Sequence, residues 1–235
     1  MTTLVAATET EGRRYPFAGI RRLIADKMTR SLQESAQLSF HAEADITRLI
    51  ERRRDLAVRG RKISLEDYVI ASFARTLADH RMFNATIEDG HVTEHEAIDL
   101  AIAVASPIGL VTPVLRGADR LDVDTIAALR SDLVARAASG QIKVAEMKGA
   151  TATLSNLGRS RVRFFTPILN HPQTSILGVG AVGESPVLDA HGQLAVRRSL
   201  GLSLTVDHRL IDGAPAARFL DEFCDRLEGF AHETD

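Results

Sequence analysis

His208 lies between two aspartates, at a point where the sequence predicts that a strand ends and a tight turn begins. Residues 200–206 before it carry leucine at alternate positions, as a buried or half-buried strand does. Residues 214–227 after it have apolar side chains at helical spacing. A histidine side chain titrates near neutral pH, so it accepts and returns a proton at low cost. His208 is therefore a candidate general base, and a hydrogen-bonded histidine in a turn is the alternative.

The elements that must position this histidine are a mixture of helices and strands. Ser64 and Asp67 have the spacing of a helix N-cap, and Asp89-Gly90 is a hairpin signal. The sequence predicts helices over residues 20–35, 46–59, 65–79, 121–138 and 214–227, and strands over residues 40–45, 98–106 and 110–115. After Ala150, four apolar β-rich runs alternate with turns until the last helix. This irregular order predicts an α+β fold, a mixed β-sheet with helices packed on one face.

Composition limits the class of protein. A chain of 235 residues fits one domain with a sizeable core. Its net charge of −2 gives no electrostatic reason to expect nucleic acid or an anionic membrane as a partner. The single cysteine excludes an internal disulfide and suits a reducing cytoplasm, where we expect the protein to be. No apolar run is long enough to span a bilayer.

The histidine belongs to a longer pattern, His-x-x-x-Asp-Gly, formed by residues 208–213. Further stretches occur in a fixed order along residues 16–228: 19–28, 83–85, 101–104, 109–115, 154–158, 165–170 and 176–180. Together they resemble the acyltransferase catalytic domain of the 2-oxo acid dehydrogenase complexes. That family shares its fold with chloramphenicol acetyltransferase, so the resemblance implies the same trimeric fold here.

The resemblance implies an acyl transfer that uses coenzyme A and no metal. His208 would act directly on the O–H or S–H of the acceptor, without a covalent acyl-enzyme. Ser155 matches the family position whose hydroxyl stabilises the tetrahedral intermediate, an interaction worth about 3 kcal/mol of barrier. Without the resemblance, a strand-end serine bonded to its own backbone is an equally good interpretation of Ser155.

Asp212 has the position of a third member of a triad. In the family, however, the corresponding carboxylate pairs with an arginine from early in the domain and braces the catalytic turn. Arg30 is the candidate partner and Arg209 the alternative, and Gly213 completes the support of the turn.

The resemblance also implies a homotrimer in which the histidine of one subunit faces the serine-bearing segment of its neighbour. The sequence predicts a flexible arm at residues 1–15, a catalytic domain at 16–230 and a polar tail at 231–235. Larger cores of this family are joined through an apolar C-terminal end. The polar tail therefore predicts a discrete trimer.

Three functions remain open. Because this sequence contains no lipoyl or subunit-binding domain, the first is a free-standing enzyme that moves an acetyl or other short acyl group from acyl-CoA to a hydroxyl of a small molecule, for example in tetronate polyketide biosynthesis. The second is a dihydrolipoamide acyltransferase core that acts with a separate lipoyl domain. The third, a non-catalytic structural core, is disfavoured because His208, Ser155 and Asp212 are all present.

Overall fold

The computed structural model describes residues 13–107, 109–189 and 191–232. Within them the chain forms five α-helices: α1 Ile20–Glu34, α2 Thr47–Val58, α3 Leu65–Asp79, α4 Val123–Ala138 and α5 Gly213–Gly229. It also forms nine strands: β1 Gln37–Asp45, β2 Ala85–Glu88, β3 His91–Glu94, β4 Leu100–Ser106, β5 Gly109–Val111, β6 Val114–Leu115, β7 Ala152–Asn156, β8 Ser175–Leu188 and β9 Leu194–Asp207. The predicted N-terminal arm lies outside the described residues over positions 1–12, and so does the end of the predicted polar tail.

The main sheet is mixed, in the order β1-β9-β8-β7-β4-β5, with β6 paired to β4. Strand β7 runs parallel to both β4 and β8, and β9 runs antiparallel to β1 and β8. Strands β2 and β3 form a separate hairpin around Asp89 and Gly90, both at positive φ, as the Asp-Gly signal predicts. The α+β prediction is thereby confirmed.

Two strand predictions need correction. The strand expected over residues 110–115 divides into β5 and β6 at Thr112-Pro113, because proline has no N–H to donate to a ladder. After Ala150 there are three strands before α5, not four β-rich runs in a sheet. Residues 164–169 are apolar but form no strand, because they belong to a segment that crosses the face of the sheet.

The core lies on one face of this sheet. Leu200, Leu202, Leu204 and Val206 of β9 are at most 1 % exposed. They join buried residues of α2, α3, α4 and α5 in one apolar cluster. Helix α3 begins with the predicted capping box, in which the Ser64 hydroxyl accepts from the Asp67 N–H and the Asp67 carboxylate accepts from the Ser64 N–H. The shared apolar cluster holds β9 against the helices.

The opposite face of the sheet is crossed by residues 157–172, here called the strap. The strap N–H of Phe165 donates to Ser203 Oγ, and that of Leu169 donates to Gln37 Oε1. Glycines let its backbone approach closely: a Cβ on Gly180 would lie 1.9 Å from the Arg163 carbonyl oxygen, and one on Gly201 would lie 2.1 Å from it. The strap therefore needs glycine at these two positions.

We predict that Gly180→Ala lowers the free energy of unfolding by about 3 kcal/mol, because the new methyl group overlaps backbone that has no room to shift. Urea denaturation of the purified variant measures this loss. Gly229→Ala is the matched control, since a Cβ at Gly229 meets nothing within 4 Å. Equal stability of the two variants would contradict the close approach of the strap.

Candidate active site

His208 occupies the first position of the turn that follows β9, and Asp207, the last residue of β9, holds this turn. The His208 N–H donates to the Ala36 carbonyl at 2.8 Å, which ties the turn to the chain just before β1. The Asp207 side chain is only 3 % exposed and accepts from the Ala36 N–H. It also accepts from the Arg209 backbone N–H at 3.1 Å and from Arg209 Nε at 2.9 Å. His208 therefore projects from a backbone that is fixed on both sides.

The Asp207 carboxylate is kept ionised by its neighbours. Burial by itself would raise the pKa of this carboxyl. The hydrogen bonds from the Arg209 side chain and backbone, with the Arg209 charge, outweigh burial, so the pKa lies below its usual value. The same pairing raises the pKa of the Arg209 guanidinium. The pair thus stays charged over the physiological range and keeps the turn in one geometry.

The predicted partner of Asp212 is wrong. Arg30 binds Glu34 at 2.9 Å, and Arg209 binds Asp207 at 2.5 Å; among the described residues neither pairs with Asp212. Arg209 pairs with Asp207 because the Asp207 carboxylate is buried and lies two residues from Arg209 in sequence, whereas the Asp212 side chain is 83 % exposed.

Asp212 instead faces the histidine. His208 Nδ1 and Asp212 Oδ1 are 3.7 Å apart, too far for a hydrogen bond but close enough for charge attraction. The carboxylate therefore lies on the Nδ1 side of the ring, and the 45% exposed side chain leaves the imidazole open to a ligand.

Gly213 is the first residue of α5, and Asp212 precedes it as the N-cap without a side-chain capping bond. A Cβ on Gly213 would meet Phe40 at 3.9 Å, an ordinary contact. The described part of this chain therefore shows no steric need for glycine at this position, and its predicted support of the turn is not explained by packing here.

Ser155 lies near the end of β7, on the face of the sheet that the strap crosses. It stands in register with Gly178, which is in register with Ser203. Within the described residues, Ser155 Oγ takes part in no hydrogen bond, so the alternative of a serine bonded to its own backbone is not observed. The hydroxyl is thus available to a ligand.

Sheet geometry separates Ser155 from His208 within one chain. Two strand spacings separate Ser155 from Ser203, and His208 follows Ser203 by five residues along the chain. At about 4.8 Å per strand and about 3.3 Å per residue, the two Cα atoms are roughly 19 Å apart. A serine and a histidine side chain together bridge much less than this, so the two residues of one chain cannot act on the same atom.

A groove is lined by Asn156, the residue that follows Ser155. It has a volume of about 440 Å³ and adjoins a smaller cavity of about 220 Å³. Its floor is apolar, formed by residues 102–105 of β4 and by Val134 of α4. The polar lining residues that both cavities share are Glu66, Arg130, Asn156 and Arg159. An apolar groove with a few polar groups is the usual form of a small-molecule site.

The residues that the structure describes contain no group of three or more histidine, cysteine, aspartate or glutamate side chains able to hold a metal ion. Over the same residues, no helix has both the length and the apolar character needed to cross a membrane.

Comparison with known proteins places this fold and site in a class. Chloramphenicol acetyltransferase matches with a TM-score of 0.56 at 18% identity, covering 88% of this chain and 94% of that one, which shows a shared fold. Residues 9–233 match the family model of the 2-oxoacid dehydrogenases acyltransferase (catalytic domain). The chain belongs to this acyltransferase family.

Two members illustrate the match. The chain is 37% identical over 227 residues to the dihydrolipoyllysine-residue acetyltransferase component of the acetoin cleaving system of Bacillus subtilis, covering 94% of this chain and 56% of the relative. The Azotobacter vinelandii dihydrolipoamide acetyltransferase matches with a TM-score of 0.86 at 28% identity, covering 98% of both chains. That structure concerns the role of a serine, a histidine and an asparagine in its catalytic mechanism. The chain spans about half the length of the curated relatives it matches.

The sequence analysis missed Asp207 as the residue that fixes the turn. One signal was present: Ser199, Gly201, Ser203, Thr205 and Asp207 alternate with the core leucines, so Asp207 continues a small polar row. That row faces the strap and not the core.

We predict that Asp207→Asn lowers the free energy of unfolding by about 2 kcal/mol at neutral pH, because Arg209 loses its charged partner. The folded pKa of Asp207 is depressed, so its contribution is present above the unfolded pKa of about 3.9 and is lost as the pH falls through the lower folded value. Urea denaturation from pH 7 down to pH 3 should show the difference from wild type shrink below about pH 4.

Asp212→Asn is the matched control and should keep wild-type stability, because its side chain is 83 % exposed. If the two variants exchanged these behaviours, Asp207 would not be the brace of the turn.

Proposed function

We propose that this chain is the catalytic domain of a dihydrolipoyllysine acetyltransferase and moves an acetyl group between a dihydrolipoyl thiol and coenzyme A. One observation carries the proposal. In the Azotobacter vinelandii enzyme the asparagine follows the histidine by four residues and the serine precedes it by 52. Here Asp212 follows His208 by the same four residues, and Ser155 precedes it by 53.

His208 and Ser155 have complementary roles in this reaction. His208 Nε2 takes the proton from the thiol of coenzyme A, and the thiolate attacks the thioester carbon of the acetyl-dihydrolipoyl group. The Ser155 hydroxyl donates to the oxyanion of the tetrahedral intermediate. The carbon–sulfur bond to the lipoyl group then breaks, and His208 returns its proton to the departing sulfur. Acetyl-CoA and dihydrolipoamide react by the reverse sequence.

The first expectation from the sequence, transfer to a hydroxyl of a small molecule, is not supported. The relatives are acetyltransferase components of acetoin cleaving or pyruvate dehydrogenase systems, whose names specify dihydrolipoyllysine. The expectation relied on the lack of a lipoyl domain in 235 residues. Since the catalytic domain fills only about half of those relatives, that lack does not decide the acceptor.

The groove lined by Asn156, the residue after Ser155, is the proposed site of coenzyme A. Its apolar floor suits the pantetheine arm, and Asn156 and Ser160 offer polar contacts to the amides of that arm. A lipoyl group would then approach from the side of the neighbouring His208. Location in the cytoplasm remains a prediction from the single cysteine.

A second copy of the chain is required for this chemistry. Because Ser155 and His208 of one chain lie roughly 19 Å apart, the working pair must come from two subunits. A heterologous contact of this kind closes into a ring, and a ring of three is the assembly expected for the family. We therefore propose a homotrimer with three sites at its interfaces.

We predict that His208→Gln lowers the rate of acetyl transfer from acetyl-CoA to dihydrolipoamide by 10²–10⁴-fold, with fold and assembly unchanged. Steady-state turnover with both substrates measures this rate. In the same assay, a set of hydroxylated acceptors tests the alternative function, transfer to a hydroxyl of a small molecule. Wild-type turnover by the variant would remove His208 as the base. Turnover with hydroxyls alone would contradict the proposed acceptor.

We predict a particle of about 77 kDa, three chains of 25.6 kDa, when the protein is analysed by light scattering after size exclusion. A fully active monomer would contradict the shared site. A particle in the megadalton range would contradict a discrete trimer.

A further inference from the structure

The strap begins with three arginines that have different surroundings. Arg163 is engaged: its guanidinium donates to Glu43 at 2.5 Å and to Ser199 at 3.1 Å. Arg159 and Arg161 are both exposed and have no ion pair or hydrogen bond within the described residues. Only Arg159 lines the groove and the adjoining cavity. The two unengaged arginines therefore differ in one respect, their access to the groove.

The other charged residues of the groove are paired. Arg130 is only 16% exposed and pairs with the buried Asp67 carboxylate and, at 3.4 Å, with Glu66. This leaves the Arg159 guanidinium as the one cation lining the groove that lacks an anionic partner among the described residues. An anion arriving in the groove would meet Arg159 without having to displace a carboxylate.

Arg159 follows Ser155 by four residues, so their Cα atoms are at most about 14 Å apart. Asn156, the residue after Ser155, and Arg159 both line the groove, so a ligand lying in the groove is within reach of the arginine. In coenzyme A the pantetheine arm starts at the thiol and ends at a phosphate. A guanidinium presents paired N–H donors that match the oxygens of a phosphate.

We infer that Arg159 binds the phosphate that ends the pantetheine arm of acyl-CoA and so selects phosphorylated donors over donors that lack this phosphate. The inference depends on the proposed function for the presence of coenzyme A in the groove. Arg159 is a specificity-determining residue in this role, and it does not touch the reacting atoms. Arg161 has no part in it.

The test compares Arg159→Gln with the matched variant Arg161→Gln, which removes the same charge two residues away outside the groove. The kcat/KM for acetyl transfer to dihydrolipoamide is measured with acetyl-CoA, acetyl-4′-phosphopantetheine and acetylpantetheine, and the Kd of CoA by calorimetry. Arg159→Gln should lower kcat/KM about tenfold with both phosphorylated donors and weaken CoA binding equally. It should leave acetylpantetheine unaffected, and Arg161→Gln should match wild type with every donor.

Three results would overturn the inference: equal CoA affinity of Arg159→Gln and wild type, an equal loss with acetylpantetheine, or a loss confined to acetyl-CoA that spares acetyl-4′-phosphopantetheine. The proposed function fails by a different result. If wild type bound CoA more tightly than Arg159→Gln but did not acetylate dihydrolipoamide, the acceptor would be wrong and the phosphate contact would stand.

Discussion

Strand β9 has two faces with different side chains, and most of the site depends on this alternation. On one face Leu200, Leu202, Leu204 and Val206 are buried against the helices. On the other, small or polar residues leave room for the strap, whose backbone lies against Gly201 and donates to Ser203. A larger side chain on that face would displace the strap. Because the strap follows directly after β7, which carries the candidate oxyanion donor Ser155, the same alternation fixes the segment that carries Arg159.

The end of β9 determines where the base stands. Asp207 is buried, and the Arg209 guanidinium and two backbone N–H groups satisfy its carboxylate. A buried charge pair is seldom a net source of stability, but it specifies one local geometry. Here that geometry ties the His208 backbone to Ala36 while the imidazole remains 45% exposed. The ring is thus free to meet a thiol that arrives from outside the chain.

The sequence predicted much of the fold because the hydrophobic periods are clear. Helix α3 has its capping box at Ser64, and the β2–β3 hairpin has its Asp-Gly turn. The sequence did not predict the strap, because the apolar residues 164–169 have the composition of a strand. The backbone N–H groups of Phe165 and Leu169 donate to Ser203 and Gln37, which lie 38 and 132 residues away in sequence, and local periodicity does not report such contacts.

Some features of the site were likewise predicted from the sequence and others were not. His208 and Ser155 were recognised by their position in a motif, and the structure leaves both side chains accessible to a ligand. The partner of Arg209 was not recognised, because Asp207 and Asp212 are both close to Arg209 in sequence and only the burial of their side chains distinguishes them. Because the chain covers only about half of these curated relatives, the acceptor also had to be inferred from the family.

The proposed site combines His208 of one chain with Ser155 of another, because the sheet holds those of a single chain roughly 19 Å apart. The most direct test mixes His208→Gln and Ser155→Ala chains by co-expression and purifies trimers that contain both. Each variant alone should be nearly inactive. These mixed trimers should restore about a third of wild-type acetyl transfer, since one of their three interfaces combines an intact histidine with an intact serine. Mixed trimers with no more activity than the separate variants would contradict the shared site.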